Sequence, residues 1–496
     1  MQEALFCQAL GLAAPWAVKR VALDVERSRI DLYVVWQSGS AACPMCAAAD
    51  QKLHDHRQRS WRHLDFFQFE AYVHCALPRV SCSVCGRTTQ LSVPWAREGS
   101  RFTLMFEALA LTLAREMPVA ACARILRCAD NALWRQIDAH VRLARAKESY
   151  AGVAVIGIDE TNCAKGHSYI TLVHDLERAR LIYATPGKDA STVQRFTEDF
   201  KSHQGKAEAI QVVCMDMSKA FIAGAGQHLP QAAIAFDGFH VVQLANRAVD
   251  AVRREEARGE RWLKKTRWCW LKDKARWTDK EQAKMDWLPH TRLKTARAWR
   301  MKEGLRDVYR NSDADAASSA QALKKWLHWA QRSRLQPFKD LAKTIQQHWA
   351  GILKAFDASH LHTGYVEAVN SLLQAAKAKA RGYGTTDHFI AMAFLIAGKL
   401  THLPGSPLQK ARAWPWLWQG MWRSTRNGRE PVFIQNPVHR AIRVPARPCG
   451  GHCLDAGSPP WPAAPHPGAT WAPPGPPASR HPAPPDRPAW PGPAPL

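Results

Sequence analysis

The chain has 496 residues, 46% of them hydrophobic, and a formal net charge of +25 with a pI of about 9.8. That length allows several domains with sizeable cores, and the basic excess favours a polyanionic partner through release of phosphate counterions. No apolar run approaches the roughly 20 residues of a membrane span, and the first residues lack the basic and apolar regions of a signal peptide, so a cytoplasmic protein is expected whose 13 cysteines are metal ligands or buried thiols.

In chain order, loose alternation over residues 17–36 predicts strands. Two CxxC pairs follow, Cys43-Pro44-Met45-Cys46 and Cys82-Ser83-Val84-Cys85, with a strand-like segment at 69–77 between them. Each pair can turn back on itself so that both sulfurs point at one ion, the ligand pattern of a structural Zn²⁺ site. The 35 residues between Cys46 and Cys82 leave room for a hairpin or small sheet. Cys75, His54, His56 and His63 lie there as substitute ligands, and two unrelated thiol pairs are the plainer alternative. Residues 1–100 thus read as a zinc-binding module. Residues 101–150 read as helical, with helices from 103, from 118 and, after a break at 127–131, from 132. The last two suit a helix-turn-helix that directs Asn131, Arg135 and Gln136 into the major groove; an ordinary helical hairpin is the alternative.

From 150 to 240 the pattern becomes strand–helix alternation. Three antiparallel strands, a helix, a strand, a helix and another strand is the order of a ribonuclease-H-like α/β mixed sheet. That order puts one acid on the first strand and another at the end of the fourth, where Asp159 and Asp216 fall. Glu367 sits on a helix-like stretch at 365–370 and shares a face with Asn370 and Gln374, while Val366, Val369 and Leu373 form an apolar stripe. Three such carboxylates meeting at one point can bind two Mg²⁺ (or Mn²⁺) ions and clamp the attacking and leaving oxygens of a phosphodiester. On so basic a chain that phosphodiester is double-stranded DNA. Asp237 ends the next strand and competes with Asp216 for the second position; strand order favours Asp216. Glu160 points to the opposite side of its strand from Asp159. A helical insertion at 241–350 carries 26 Lys and Arg against 13 Asp and Glu, a net +13, and nine of the 21 tryptophans. Most of these are expected in a core, with one or two free to stack on bases. The catalytic domain is thus 151–240 with 351–402, and Lys377 and Arg381 beyond Glu367 are candidate DNA contacts. The Pro-rich stretch 444–496 cannot bury enough apolar area to fold and reads as a disordered tail, or as read-through past an original stop.

Taken together, the chain resembles bacterial insertion-sequence transposases of the ISL-three type, a DDE group. The resemblance rests on the two CxxC pairs, Gly157-Ile158-Asp159-Glu160, Lys165-Gly166-His167, Asp216-Met217, the segment 236–250 from Phe236 and Asp237 to Asp250, and the segment from Gly364 through Glu367 and Asn370 to Arg381-Gly382-Tyr383-Gly384. It covers roughly residues 35 to 400. It implies end-specific DNA binding, then metal-dependent cleavage and strand transfer in which Asp159 bridges both ions and Asp216 and Glu367 complete one side each. Asp237 and His240, in an Asp-x-x-His arrangement, are implied as supporting residues, as is Glu160. Two ends handled together imply a homo-oligomer. A DNA-binding regulator, a hydrolytic nuclease or resolvase-type enzyme of this fold, and an inactive remnant are the alternatives.

Overall fold

The computed structural model describes residues 2–406, apart from 165, 261–262, 274–275, 311–314 and 358–362. Lys165, Trp262 and the stretch 444–496 lie outside the described residues. Helix α1 (Gln2–Ala9) precedes strands β1 (Trp16–Asp24), β2 (Arg29–Trp36), β3 (Ser40–Ala41), β4 (Gln51–Arg62), β5 (Glu70–Ser81) and β6 (Thr88–Gln90). These strands form a sheet in the order β1-β2-β5-β4-β3, with β6 on β5. On β5, Ala71, Val73, Cys75 and Leu77 point into the core, the period-2 pattern of a sheet with one covered face. The antiparallel β4–β5 hairpin fills the space expected between the two CxxC pairs.

Helices α2 (Leu104–Glu116), α3 (Val119–Ile125) and α4 (Asp130–Arg145) follow. Thr103 caps α2 by accepting the Phe106 N–H, and its hydroxyl also bonds His63 Nδ1 at 2.8 Å. At the turn between α3 and α4, Arg127 adopts φ +52° and donates to Asp65 Oδ2 at 2.5 Å and Gln68 O at 3.1 Å at the tip of the hairpin. The helices are thus tied to the N-terminal sheet by hydrogen bonds and ion pairs rather than by a flexible linker.

A five-stranded sheet comes next, of β7 (Val155–Asn162), β8 (Tyr169–Asp175), β9 (Arg180–Pro186), β10 (Val212–Met215) and β11 (Ala233–Phe236), in the order β11-β10-β7-β8-β9. Strands β7, β8 and β9 are antiparallel neighbours, and β10 runs parallel to both β7 and β11. Parallel neighbours need crossover connections. Helices α5 (Ser191–Ser202) and α6 (Lys219–His228) lie in them, and Val193, Phe196 and Phe200 form the buried stripe of α5.

Among the described residues, α-helices α7 (Gly238–Glu256), α8 (Arg267–Leu271), α9 (Asp279–Met285), α10 (Lys294–Arg310), α11 (Ala316–Arg332), α12 (Gln336–Gln347) and α13 (Trp349–Asp357) follow. Their buried Trp270, Leu305, Trp326 and Phe338 belong to the same continuous core as Ile156, Val213 and Phe236 of the sheet. The insertion is therefore built onto the sheet. Trp268, Trp287 and Trp329 stay substantially exposed, whereas Trp277, Trp299 and Trp349 pack against the core. Helices α14 (Thr363–Lys379) and α15 (Thr386–Ala397) cover the other face, where Leu373, Phe389 and Phe394 join Ile137, Val141 and Leu172. Among the described residues, no helix is long and apolar enough to cross a membrane.

Candidate active site and nucleic-acid interface

Strand register aligns the aspartates. Cys214 of β10 pairs with Gly157 of β7 on one side and with Ala235 of β11 on the other. Two residues further along each segment come Asp159, within β7, and Asp216 and Asp237, just past the ends of β10 and β11. Residues two apart share a sheet face, and Val155, Cys214 and Ala235 cluster with Val366 of α14. Asp159 therefore lies on the face that α14 covers. A side chain at Gly157 would stand 2.9 Å from Leu176 Cδ2 and 3.2 Å from Val366 Cγ2, so glycine lets α14 close on the strand. Glu367, next after Val366, then lines one cleft with Asp159, Asp237 and His240. Asp216 flanks that cleft, near enough to act on the charge of Asp159.

The carboxylates are held by local donors. Asp159 Oδ1 accepts the Glu160 N–H at 2.8 Å, and its Oδ2 accepts from Asn370 Nδ2. Asp216 accepts the Ser218 N–H at 2.9 Å; Asp237 caps α7 by accepting the Phe239 N–H at 3.0 Å. Glu160 turns the other way, with Lys188 Nζ at 3.5 Å. Burial pushes the Asp159 carboxyl up to about 6; the Glu160 N–H and His240 oppose the rise, and Asp216 and Glu160 add to it. Glu367 is raised as well, by burial first and then by Asp237, with His240 opposing. Among the described residues the carboxylates form no metal-ligand group of three or more. Asp159 and Glu367 offer hard oxygens whose ionisation burial disfavours, and such donors suit a divalent cation.

The four cysteines do converge. Cys43, Cys46, Cys82 and Cys85 bring their sulfurs within 4.8 Å of one another. The two knuckles repeat one geometry: the Ala47 N–H bonds Cys43 O at 2.9 Å and the Gly86 N–H bonds Cys82 O at 3.0 Å, with Ala47 and Gly86 both at positive φ. The Cys85 N–H directed at Cys82 Sγ holds that thiol down at about 6, which favours the thiolate a metal needs. The substitute ligands stand elsewhere. Cys75 is buried in the N-terminal core, and His63, bonded to Thr103, is held neutral by burial with its pKa lowered to about 4. Among the described residues, His54 and His56 are in no such ligand cluster.

The candidate DNA contacts divide. Asn131 and Arg135 are exposed on the first turns of α4. Gln136 is not available: it is 8% exposed and accepts from Arg97 Nη2 at 2.5 Å. The 3.6-residue period puts it on the inward stripe with Leu133, Ile137 and His140, where Arg97 and His140 also pair the buried Glu107. Lys377 is half-buried, and its ammonium donates to Asn162 O at 2.6 Å and Asn162 Oδ1 at 3.2 Å and so docks α14 on the end of β7. Arg381 is exposed at positive φ in the turn after α14. Asn370 is the residue whose role spacing alone did not give. Its place on the face of Glu367 was readable, its bond to Asp159 was not.

Three family models match in chain order. One for the zinc finger of the IS204, IS1001, IS1096 and IS1165 transposases matches residues 39–85; one for the helix-turn-helix domain of ISL3-family transposases matches 91–141; an ISL3 transposase model matches 156–393. The chain is 30% identical over 381 residues to the transposase for insertion sequence element IS1557 of Mycobacterium tuberculosis, covering 70% of this chain and 83% of that protein. It is 24% identical over 401 residues to the transposase for insertion sequence element IS1001 of Bordetella parapertussis, covering 78% of this chain and 97% of that protein. With its four-cysteine cluster, its helix-turn-helix and its acidic cleft beside α14, the chain belongs to the ISL3 family of insertion-sequence DNA transposases.

Proposed function

We propose that Asp159, Asp216 and Glu367 are the catalytic acids of a two-metal site on a ribonuclease-H-like sheet, and that the enzyme cleaves at the ends of its element and joins the freed 3′-OH to target DNA. The observation that carries this reading is Asp159 in one cleft with Glu367, beside the end of β10 where Asp216 stands near enough to act on its charge. Sheet order, three antiparallel strands with two parallel strands beside the first, supports the fold assignment. Asp216 ranks above Asp237 because β10 lies directly beside β7, about 5 Å away, whereas β11 is one strand further. Asp237 and His240 flank Glu367 and support the site. Two Mg²⁺ or Mn²⁺ ions held there would lower the pKa of the attacking water and neutralise the leaving 3′ oxygen. The chain's own part is to hold Asp159 by two donors, to present Glu367 from a docked helix and to bring DNA to the cleft. Asn131 and Arg135 on α4 and Arg381 beyond α14 serve that last task; the four cysteines hold a structural Zn²⁺. Residues 151–240 and 351–402 form the catalytic domain around the 241–350 insertion, in a protein that works in the cytoplasm as an oligomer on two ends.

The test is incubation of the protein with DNA bearing the element's ends, with and without Mg²⁺. Metal-dependent nicks and strand-transfer products are expected. Asp159→Asn, Asp216→Asn and Glu367→Gln should each remove both while leaving end binding intact. Full cleavage by Asp216→Asn alongside none by Asp237→Asn would move the second position to Asp237, and nicking without strand transfer would leave a nuclease.

A further inference from the structure

One face of α14 carries more than the third acid. Glu367, Asn370, Gln374 and Lys377 recur at steps of three and four residues, so they share a side of the helix. Gln374 Nε2 donates to Thr161 Oγ1 at 2.8 Å and to Asn162 O at 2.9 Å, and Lys377 grips the same Asn162. These contacts fasten the helix to β7 beyond the acid. Asn370 sits between them and Glu367, and its bond goes to the acid itself, at Asp159 Oδ2.

That bond has two features a docking contact does not need. It pairs with the Glu160 N–H on Oδ1, so each oxygen of Asp159 has one fixed donor and the carboxylate cannot rotate without losing one of them. It also leaves Asn370 Oδ1 buried with no hydrogen-bond partner, although Val369 and Leu373 on the same helix already supply apolar docking. A half-satisfied buried amide is unfavourable unless its position serves something else.

We infer that Asn370 is a positioning residue, which fixes the Asp159 carboxylate in the orientation a divalent cation requires and ties that orientation to the placement of Glu367 one turn earlier on the same helix. This rests on the reading of Asp159 as a metal ligand. A helix that carries one ligand and the orienting partner of another lets α14 set both together: if it is displaced, the site loses Glu367 and the alignment of Asp159 at once. Partners of this kind, one step removed from the metal, typically change metal affinity by about 10–100-fold.

The experiment is Mn²⁺ binding to the full-length, zinc-loaded protein without DNA, followed by calorimetry or by the resonance signal of free Mn²⁺, with folding checked by thermal melts. Asn370→Ala should weaken Mn²⁺ binding by about tenfold or more. Gln374→Ala, which removes two docking bonds but leaves Asp159 untouched, should stay within about twofold on the same scale. If Asn370→Ala does not fold, Asn370→Leu, similar in size and lacking a donor, makes the same comparison. Equal losses in the Asn370 and Gln374 variants would show that Asn370 merely docks the helix, and the inference falls. An unchanged Mn²⁺ affinity in the Asn370 variant, with a lost one in Asp159→Asn, also overturns it while sparing the metal site. Retention of full affinity by Asp159→Asn would instead overturn the underlying reading.

Discussion

Asp159→Asn should abolish cleavage and at the same time stabilise the protein. Asp159 is held with its carboxyl raised from 3.8 to about 6. Its folded value lies above its unfolded value, so the native state binds the proton more tightly. The corresponding stability is fully present below pH 3.8 and is lost as pH rises through about 6. At about 1.36 kcal/mol per pH unit, the ionised form destabilises the fold by about 3 kcal/mol at neutral pH. An amide at this position removes the charge but can accept only one of the two bonds now made by Glu160 N–H and Asn370 Nδ2. The Asn370 amide can turn over so that its free Oδ1 accepts from the substituted side chain, which limits the loss to about 1 kcal/mol. The net gain is about 2 kcal/mol. Urea melts in Mg²⁺-free buffer at pH 7.5 and pH 4 measure it: the variant should be more stable at the higher pH and level with the natural chain, or slightly below it, at the lower. Mg²⁺ should raise the stability of the natural chain and leave the variant unmoved. No gain at pH 7.5, or a gain equally large at pH 4, would refute the account of a buried carboxylate awaiting a cation.

Four other substitutions have expected outcomes. Gly238→Ala places a methyl 2.5 Å from the ring of Tyr309, which packs beneath the Asp237 turn, and should destabilise by about 1–3 kcal/mol in chemical melts, with a smaller loss when combined with Tyr309→Leu. Gln136→Ala should lower stability by about 1–3 kcal/mol, because it strips a partner from Arg97, without changing which end sequence is bound; Arg135→Ala should leave the melt unmoved, weaken end binding and lessen its salt dependence by about one ion, as read by fluorescence anisotropy across salt concentrations. Cys82→Ser should abolish stoichiometric zinc, measured by a colorimetric chelator after unfolding, and should loosen the β4–β5 hairpin whose open end the knuckles close.

Much of this protein was legible in its sequence because the signals were local. The CxxC pairs announced their knuckles, since two cysteines three apart can turn onto one ion without help from distant chain. The stripe of Val193, Phe196 and Phe200 and that of Val366, Val369 and Leu373 announced helices, because amphipathic period is a property of the segment itself. Apolar runs closed by an acid singled out Asp159 and Asp216 for the same reason, but β7 continues past Asp159 to Asn162, which the run did not show. The outward direction of Gln136 could not be read, because residues one apart on a helix lie about 100° from each other and only the packing of Leu133, Ile137 and His140 shows which side is inside. The hold of Lys377 on Asn162, 215 residues earlier in the chain, was beyond reach of the sequence for the same reason. Sequence by itself determined the ligand types and the elements that carry them. Only tertiary structure decided which side chains meet, because strand register and the closure of α14 over Gly157 bring together residues such as Asp159 and Asn370 that no local pattern connects.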